Sequence, residues 1–159
     1  MADQSTSDVY TILETIREHI IVSGTRVPED KIFISRPTHT FVGEGPVIVI
    51  YSEAPTREMR SGDLNYWTTT YCWEFVNIDV LVDDMYNDAR NSNSIRDQLE
   101  IKRELETYIY GDRLALSKLF LEKGIVLSGY RPNNAEDYRL DAQNGLMVGT
   151  SVPLSLIHI

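Results

Sequence analysis

The run "YWTTTYCWEFVNIDVLV" (residues 66–82) restricts the fold more than any other part of the sequence. It is rich in β-branched and aromatic residues, which favour extended backbone, so it predicts one long strand. Successive side chains of a strand point to opposite faces. One face therefore carries four aliphatic residues: Val76, Ile78, Val80 and Val82. The other carries three aromatic residues and then two polar ones: Tyr71, Trp73, Phe75, Asn77 and Asp79. We expect the first face to be core and the second to be apolar only toward its start.

Two shorter apolar runs, "KIFIS" (residues 31–35) and "PVIVIY" (residues 46–51), precede this strand. Together the three runs predict three successive antiparallel strands. Farther along the chain, "IVLSGY" (residues 125–130) returns to strand character, and a last strand is expected from about Leu146 to His158. Pro153 in that last strand cannot donate a ladder hydrogen bond, so we expect it at a sheet edge or at a bulge.

Three segments have the periodicity of helices. Residues Ser7 to Val22 place five apolar side chains on one face: Val9, Ile12, Leu13, Ile16 and Ile20. Gly24 is positioned to end this helix in the left-handed conformation. A second helix is expected to begin at Ser94, with six residues on its apolar face: Ile95, Leu99, Ile101, Leu105, Tyr108 and Ile109. "RLALSKLFLEKG" (residues 113–124) predicts a shorter helix that ends at Gly124.

The order of these elements predicts an α+β fold. We expect a mostly antiparallel or mixed sheet of about five strands, with two main helices on one face and long hairpin loops. The length of 159 residues and a hydrophobic content of 42% suit one domain spanning residues 1–159. Residues 1–6 are expected to be flexible.

The charge and the cysteine content restrict the partners and the compartment. With 15 basic and 24 acidic residues, the net charge of −9 opposes binding to nucleic-acid phosphates, so a sequence-reading DNA-binding role is not expected. No apolar run is long enough to span a bilayer, and the first residues lack the pattern of a signal peptide. The single cysteine, Cys72, lies in an apolar run and is expected to be a core thiol in a reducing cytoplasm.

The histidines and acids form no pattern that is typical of a metal site. His19, His39 and His158 have no companions at metal-ligand spacing. The acids near "DDMYNDARNSN" (residues 83–93) lack the spacing and the glycine of a calcium loop, so a solvated loop is the better interpretation. We therefore expect no metal.

Motifs of catalysis or cofactor binding are not found either. The serine in "GIVLSGY" (residues 124–130) is not in a G-x-S-x-G elbow. "FVGEGPVI" (residues 41–48) has two of the three glycines of a dinucleotide loop, but it precedes a strand instead of following one. We therefore expect no catalytic residue and no cofactor, and no enzyme activity.

Three long polar intervals remain, and loops of this length in a compact domain are usually functional or disordered. They are "SEAPTREMRSGDLN" (residues 52–65), "DDMYNDARNSNS" (residues 83–94) and "LSGYRPNNAEDYRLDAQNGLMVG" (residues 127–149). Two of the three join neighbouring strands, so they are candidates for extended hairpin arms. Their Tyr and Arg residues are of the types that protein interfaces favour. The candidate protein-interface residues are Arg57, Arg60, Tyr130, Arg131, Tyr138 and Arg139.

The order of segments resembles the tail terminator, or tail completion, proteins of tailed bacteriophages, of the lambda minor tail protein U type. The resemblance lies in the N-terminal amphipathic helix, in "FISRPTHTFVGEGPVIVIY" (residues 33–51), and in "FVNIDVLV" (residues 75–82) leading through a polar loop into a helix. It is sharpest in "VLSGYRPNNAEDYRLDAQNGLMVGTSVPLSLIHI" (residues 126–159), which has an SGY turn, a polar loop, a glycine and an alternating strand.

This resemblance implies a non-enzymatic structural virion protein. In that family a homohexameric ring sits on the head-proximal end of the finished tail tube, stops its polymerisation and presents the surface that the head connector binds. The implied partners are further copies of the chain, the tail tube protein, a head-tail connector or neck protein, and the sheath of a contractile tail. No sequence-specific nucleic acid and no membrane is implied. The location is the virion tail, after assembly in the host cytoplasm.

Two other interpretations of the sequence stay open. The same pattern suits another ring-forming protein of the neck or tail, such as a head-tail connector or a tube subunit. A different class is a small α+β enzyme or ligand-binding domain with a pocket between the sheet and its loops.

Overall fold

The computed structural model describes residues 4–43, 45–52, 57–64, 67–83, 93–132, 137–142 and 145–158. The helices are α1 (Gln4–Ser23), α2 (Asn93–Glu106) and α3 (Arg113–Glu122), with a π-helical turn at Thr107–Gly111 between the last two. The strands are β1 (Ile32–Ile34), β2 (Val47–Ser52), β3 (Arg57–Leu64), β4 (Trp67–Asp83), β5 (Leu127–Pro132), β6 (Tyr138–Ala142) and β7 (Gly145–His158). Short 3-10 turns lie at Glu29–Lys31 and His39–Phe41. The α+β class predicted from the sequence is confirmed.

The seven strands of the described chain form one mixed sheet around β4. The main path runs in the order β1-β2-β4-β7-β5, while β3 pairs with β4 and β6 pairs with β7. β4 is the long strand predicted at residues 66–82, and β7 is the predicted last strand.

One prediction about the first strands is wrong. β1 and β2 are parallel, not antiparallel, whereas β2 and β4 are antiparallel as expected. Residues 35–46 connect β1 to β2, and a connection of this length can cross over and return the chain in the same direction. In addition, β3 lies between β2 and β4 along the chain, so the expected three successive strands are four.

All three helices cover one face of the sheet and form the main core with it. The predicted α1 face is confirmed, because Ile12, Leu13, Ile16 and Ile20 are buried. The other helices and the sheet contribute further buried residues: Ile101, Leu105, Ile109, Leu116, Phe120, Ile48, Ile50, Val76, Ile78, Val80, Val152, Leu154 and Leu156. The even positions of β4 therefore face the helices, as the alternation predicted.

The predicted apolar face of α2 is confirmed at three of its six residues and wrong at Leu99, while Tyr108 is partly buried. Ile101, Leu105 and Ile109 are fully buried, but the Leu99 side chain is 60% exposed. Two residues turn a helix by about 200°, so Leu99 points away from the sheet when Ile101 points toward it. The side chain of Ile95 lies outside the described part of the molecule.

Glycines end two helices where the sequence predicted. Gly24 after α1 has a φ of 85°, and its amide donates to the carbonyl of Ile20 at 3.2 Å. Gly124 after α3 has a φ of 83°, and the amide of Ile125 donates to the carbonyl of Phe120 at 2.8 Å. Positive φ is open to glycine at little cost, so both positions favour glycine over other residues.

The N-terminal end of the helix differs in length from the prediction. α1 begins at Gln4, three residues before the expected start, so residues 4–6 of the segment expected to be flexible belong to it. Residues 1–3 lie outside the described residues. Among the residues that are described, no helix is long and apolar enough to cross a membrane.

Pro153 lies in an interior strand but at a local gap in the pairing. β7 pairs with β4 along its length, with β6 at residues 145–149 and with β5 at residues 154–158. The hydroxyl of Tyr110 donates to the Pro153 carbonyl across this gap at 2.6 Å. The backbone nitrogen and oxygen of one strand residue point to the same edge of the strand. The nitrogen of Pro153, which has no hydrogen to donate, therefore also faces the gap between β6 and β5.

The interval from Leu127 to Gly149 is not one polar loop, as the sequence suggested. β5 and β6 lie within it, and β7 begins at Gly145. Ala142 pairs with Gly145, so β6 and β7 form a tight hairpin.

Candidate functional site

The sheet face opposite the helices has a small core of its own. Its buried members come from β2, β4, β7 and the 3-10 turn before β2: Val47, Val49, Leu81, Met147 and Phe41. Side chains of β1 and β6 cover it, namely Phe33, Tyr138 and Leu140, and the rings of Phe33 and Phe41 lie 5.1 Å apart. The expectation that this face is apolar only at the start of the long strand is therefore wrong, because β6 and the connection before β2 fold over its far end.

Asp79 of β4 lies under this cover and is fully buried. Its Oδ2 accepts hydrogen bonds from the hydroxyls of Tyr51 at 3.0 Å and Tyr138 at 2.5 Å. Its Oδ1 accepts one from the hydroxyl of Ser151 at 2.5 Å. The four side chains belong to β2, β4, β6 and β7, so one carboxylate links four strands of the sheet. We call these four residues the Asp79 cluster.

Sheet register explains how the cluster comes together. Ser151 is the direct cross-strand partner of Asp79, and Tyr51 is opposite Asn77, one position along the same face. Tyr138 is opposite Gly149 on β7. A Cβ added to Gly149 would lie 2.6 Å from Cζ of Tyr138 and 2.7 Å from Cδ2 of Leu81. The tyrosine ring therefore crosses the glycine on its way to Asp79, and only a residue without a side chain leaves room for it.

Burial and the neighbouring carboxylate keep the Tyr138 hydroxyl protonated. Burial raises the pKa of Tyr138 well above its ordinary value, and the negative charge of Asp79 and the hydrogen bond to it raise this pKa further. A protonated hydroxyl that donates to a carboxylate is neither a base nor a nucleophile at neutral pH. The arrangement is therefore that of a structural hydrogen-bond network.

Tyr110 is held in a similar way on the helix side of the sheet. Burial, with a smaller contribution from Glu106, raises the pKa of Tyr110 to about 12. Its hydroxyl thus remains a donor to the Pro153 carbonyl, fixing the π-helical turn to β7.

A groove of about 340 Å³ lies beside the Asp79 cluster. The described residues that line it are Arg36, Pro37, Tyr51, Tyr138 and Leu140. The two tyrosine hydroxyls are directed at Asp79, so the groove offers ring surfaces, a proline, an aliphatic side chain and one guanidinium. Such a lining can bind an apolar or acidic surface group.

Asp83 and His19 have structural hydrogen-bond partners. Asp83 accepts from the amide of Gly43 at 2.8 Å and from that of Gly45 at 3.1 Å, which fixes the connection before β2. His19 is buried, and its Nε2 lies 2.9 Å from the Tyr108 carbonyl. A carbonyl only accepts, so Nε2 carries the proton and donates.

No group of three or more potential metal ligands occurs among the residues described. Asp84 and Asp88, and the side chains of His39, His158 and Cys72, lie outside the described part, so the interpretations given for them remain predictions.

The six candidate interface residues fall in three strands. Arg57 and Arg60 belong to β3, where they pair with Trp73 and Thr70 of β4. Tyr130 and Arg131 belong to β5, opposite Leu156 and Ser155 of β7. Tyr138 and Arg139 belong to β6, where Arg139 is exposed and Tyr138 is tied to Asp79.

The sheet separates these candidates into two groups. Trp73, the partner of Arg57, pairs on its other side with Ile157, which pairs in turn with Gly129. Three strand spacings, or about 14 Å, therefore separate the β3 backbone from that of β5 at this level. The arginines of β3 are on one side of the β4–β7 pair, and the candidates of β5 and β6 are on the other.

β3 and the first part of β4 form an arm that extends beyond the other strands. The last β4 residue paired with β7 is Cys72, and the residues paired with β2 begin at Val76. Within the described part of the chain, residues 67–71 are therefore paired with β3 alone, and they extend the hairpin by about 16 Å. This β3–β4 arm carries Arg57 and Arg60 and agrees with the hairpin arm expected from the interval at residues 52–65.

No family model matches the sequence, and no curated protein matches it. Among solved structures, the chain is similar to a chain from the virion of a native gene transfer agent (GTA) particle, with 11% sequence identity and a TM-score of 0.40. The similarity covers 95% of this chain and 92% of that one.

Proposed function

We propose that this chain is a structural protein of a phage-like virion and that it acts as the tail terminator. Six copies form a ring on the head-proximal end of the tail tube, end its polymerisation and present the surface for the head connector or neck protein. The sequence resemblance described above supports this role. Its partners are other copies of the chain, the tube protein and, in a contractile tail, the sheath.

The β3–β4 arm is the feature that carries the proposal. A two-stranded hairpin that extends by about 16 Å is marginal alone in water. Contact with a neighbouring protein would stabilise it. An arm of this kind on a ring subunit can reach the next subunit or the end of the tube.

The two separate edges of the sheet suit a closed ring. Head-to-tail contacts in a ring need different, complementary surfaces on the two sides of one subunit. Here the β3–β4 arm lies on one side of the β4–β7 pair, and β5 and β6 lie on the other. The net charge of −9 suits a channel through which DNA moves without binding, because like charges repel the phosphates.

The proposed role is not enzymatic and uses no cofactor or metal. The hydroxyls of the Asp79 cluster serve to join strands. The protein acts in the tail of the virion at its head-proximal end, and it is assembled there in the host cytoplasm.

A capping experiment with purified proteins tests this function. Tube protein is polymerised with and without the chain, and filament lengths are measured by electron microscopy. We expect the chain to stop growth at one end and to shorten the filaments at least severalfold. The double substitution Arg57→Ala and Arg60→Ala in the arm should weaken capping, whereas Arg96→Ala with Arg103→Ala on α2 should not.

The same experiment separates the alternatives. Equal filament lengths with and without the chain contradict capping. Long filaments formed by the chain alone would identify a tube subunit, not a terminator.

A further inference from the structure

α3 has a second apolar stripe besides the one that faces the core. Leu116 and Phe120 are buried, but Leu114 and Leu121 are 69% and 61% exposed. These two leucines are seven residues apart and so lie on one face of the helix, with the exposed Lys118 between them. A stripe of two exposed leucines around one lysine is not needed for the fold of the subunit.

α1 has an exposed row of side chains that is also apolar at its ends but carries the opposite charge to the α3 stripe. Tyr10, Glu14, Glu18 and Val22 follow one another at intervals of four residues, and all four are exposed. The row begins with an aromatic residue, ends with an aliphatic one and carries two acids between them. Tyr10 is one helical turn, or about 6 Å, from Glu14, which is also the spacing of Leu114 and Lys118.

Of the three charged residues in the two stripes, only Glu18 has an ion-pair partner among the described residues. Glu18 forms an ion pair with Lys123 at 3.7 Å. Neither Glu14 nor Lys118 forms an ion pair within the described part of the chain. Other charged residues near these stripes include Arg113 and the exposed Glu122 of α3. On α1, the Arg17 guanidinium donates to the carbonyls of Ile32 and Glu29.

We infer that the helix layers of two copies of this chain pack face to face, with α1 of each copy against α3 of the other. The Glu18–Lys123 ion pair holds α1 and α3 side by side, so one layer presents both stripes. A twofold axis then makes each contact twice, placing Glu14 of one copy against Lys118 of its partner and Tyr10 against Leu114, which lies at the same spacing of four residues. The opposite charges and this one apolar pair are complementary at equal spacing.

This contact goes beyond the proposed function. The ring proposed above uses the arm and the sheet edges, and the helix layer is left free for the second contact. The pair can thus form whether or not the chain caps a tube.

Charge reversal tests the contact by sedimentation velocity over a range of concentrations. The wild-type chain should associate, and Glu14→Lys or Lys118→Glu should each weaken association by about tenfold or more, because each change occurs twice in the pair. The double variant Glu14→Lys with Lys118→Glu should recover association. Matched controls are Glu29→Lys and Arg36→Glu, which make the same charge changes away from the two stripes and should behave as wild type.

The outcomes keep this contact distinct from the proposed function. A wild-type chain that stays monomeric at the highest soluble concentration overturns the contact, as does association that neither single charge reversal weakens. If association follows the charges but the chain fails to cap tubes, the contact stands and the terminator role fails. If tubes are capped equally by wild type and by variants with unchanged association, the role stands and the contact fails.

Discussion

Replacing Asp79 by Ala is expected to lower the free energy of unfolding by about 3 kcal/mol. The substitution removes the acceptor of three hydroxyls at once, on Tyr51, Tyr138 and Ser151. Ser151 is buried, with 9% of its surface exposed, so leaving its hydroxyl without this acceptor is costly. The two tyrosines are half-buried and can turn partly toward solvent, which keeps the total below three full desolvation penalties.

Equilibrium unfolding in urea, followed by circular dichroism, measures this loss. Asp97→Ala is the matched control, because Asp97 is a half-exposed acid whose contact with Arg26 is 3.8 Å long. The control should change stability by no more than about 0.5 kcal/mol. Equal losses for the two variants would show that the Asp79 cluster does not hold the strands together.

Replacing Gly149 by Ala is expected to cost about 2 kcal/mol or more of unfolding free energy. The new methyl group would be placed 2.6 Å from Cζ of Tyr138 and 2.7 Å from Cδ2 of Leu81, closer than carbon atoms can approach. Either the tyrosine ring leaves Asp79 or the two strands move apart. Both responses disturb the cover of the small core.

Gly111→Ala is the control for this substitution. The Cβ there would meet only Cγ2 of Thr107, at 4.0 Å, and the residue lies in a helical turn, so we expect no loss of stability. The cost of Gly149→Ala should also be smaller by about 0.5 kcal/mol or more when Tyr138 is already Ala. Unchanged stability of the single variant, or full additivity with Tyr138→Ala, would contradict the packing of the ring over Gly149.

The long strand and the helices could be predicted because their signals are local. The alternation in residues 76–82 sets both faces of β4, and the five apolar positions of α1 set its buried side. Gly24 and Gly124 marked the helix ends, since positive φ has a simple sequence signature. Leu99 was wrongly assigned to the buried face because it is apolar, although its angular position around the helix places it on the opposite side from Ile101.

The direction of β1 relative to β2 could not be predicted in this way. A three-residue strand pairs equally well in either direction, and the choice depends on the path of residues 35–46. β6 was missed, although Tyr138 and Leu140 alternate with Arg139 and Asp141 as a half-buried strand does. The tyrosine and the arginine were interpreted as loop contacts instead.

The Asp79 cluster has a partial signal in the sequence. An acid in the middle of the apolar run "FVNIDVLV" must be paired or hydrogen-bonded when the strand is buried on both faces. Its partners are 28, 59 and 72 residues away in the chain, and only the sheet register identifies them. Tyr138 was chosen as a candidate interface residue because of its residue type, but its hydroxyl donates to Asp79 within the subunit.

Tail length in particles made without this chain tests the proposed function most directly. Tails assembled with and without the protein are imaged by electron microscopy, and their length distributions are compared. Without the protein, we predict tubes of uncontrolled length that do not join heads, and restoring the wild-type chain should return one uniform length. Tails of normal, uniform length that join heads in its absence would contradict the terminator role.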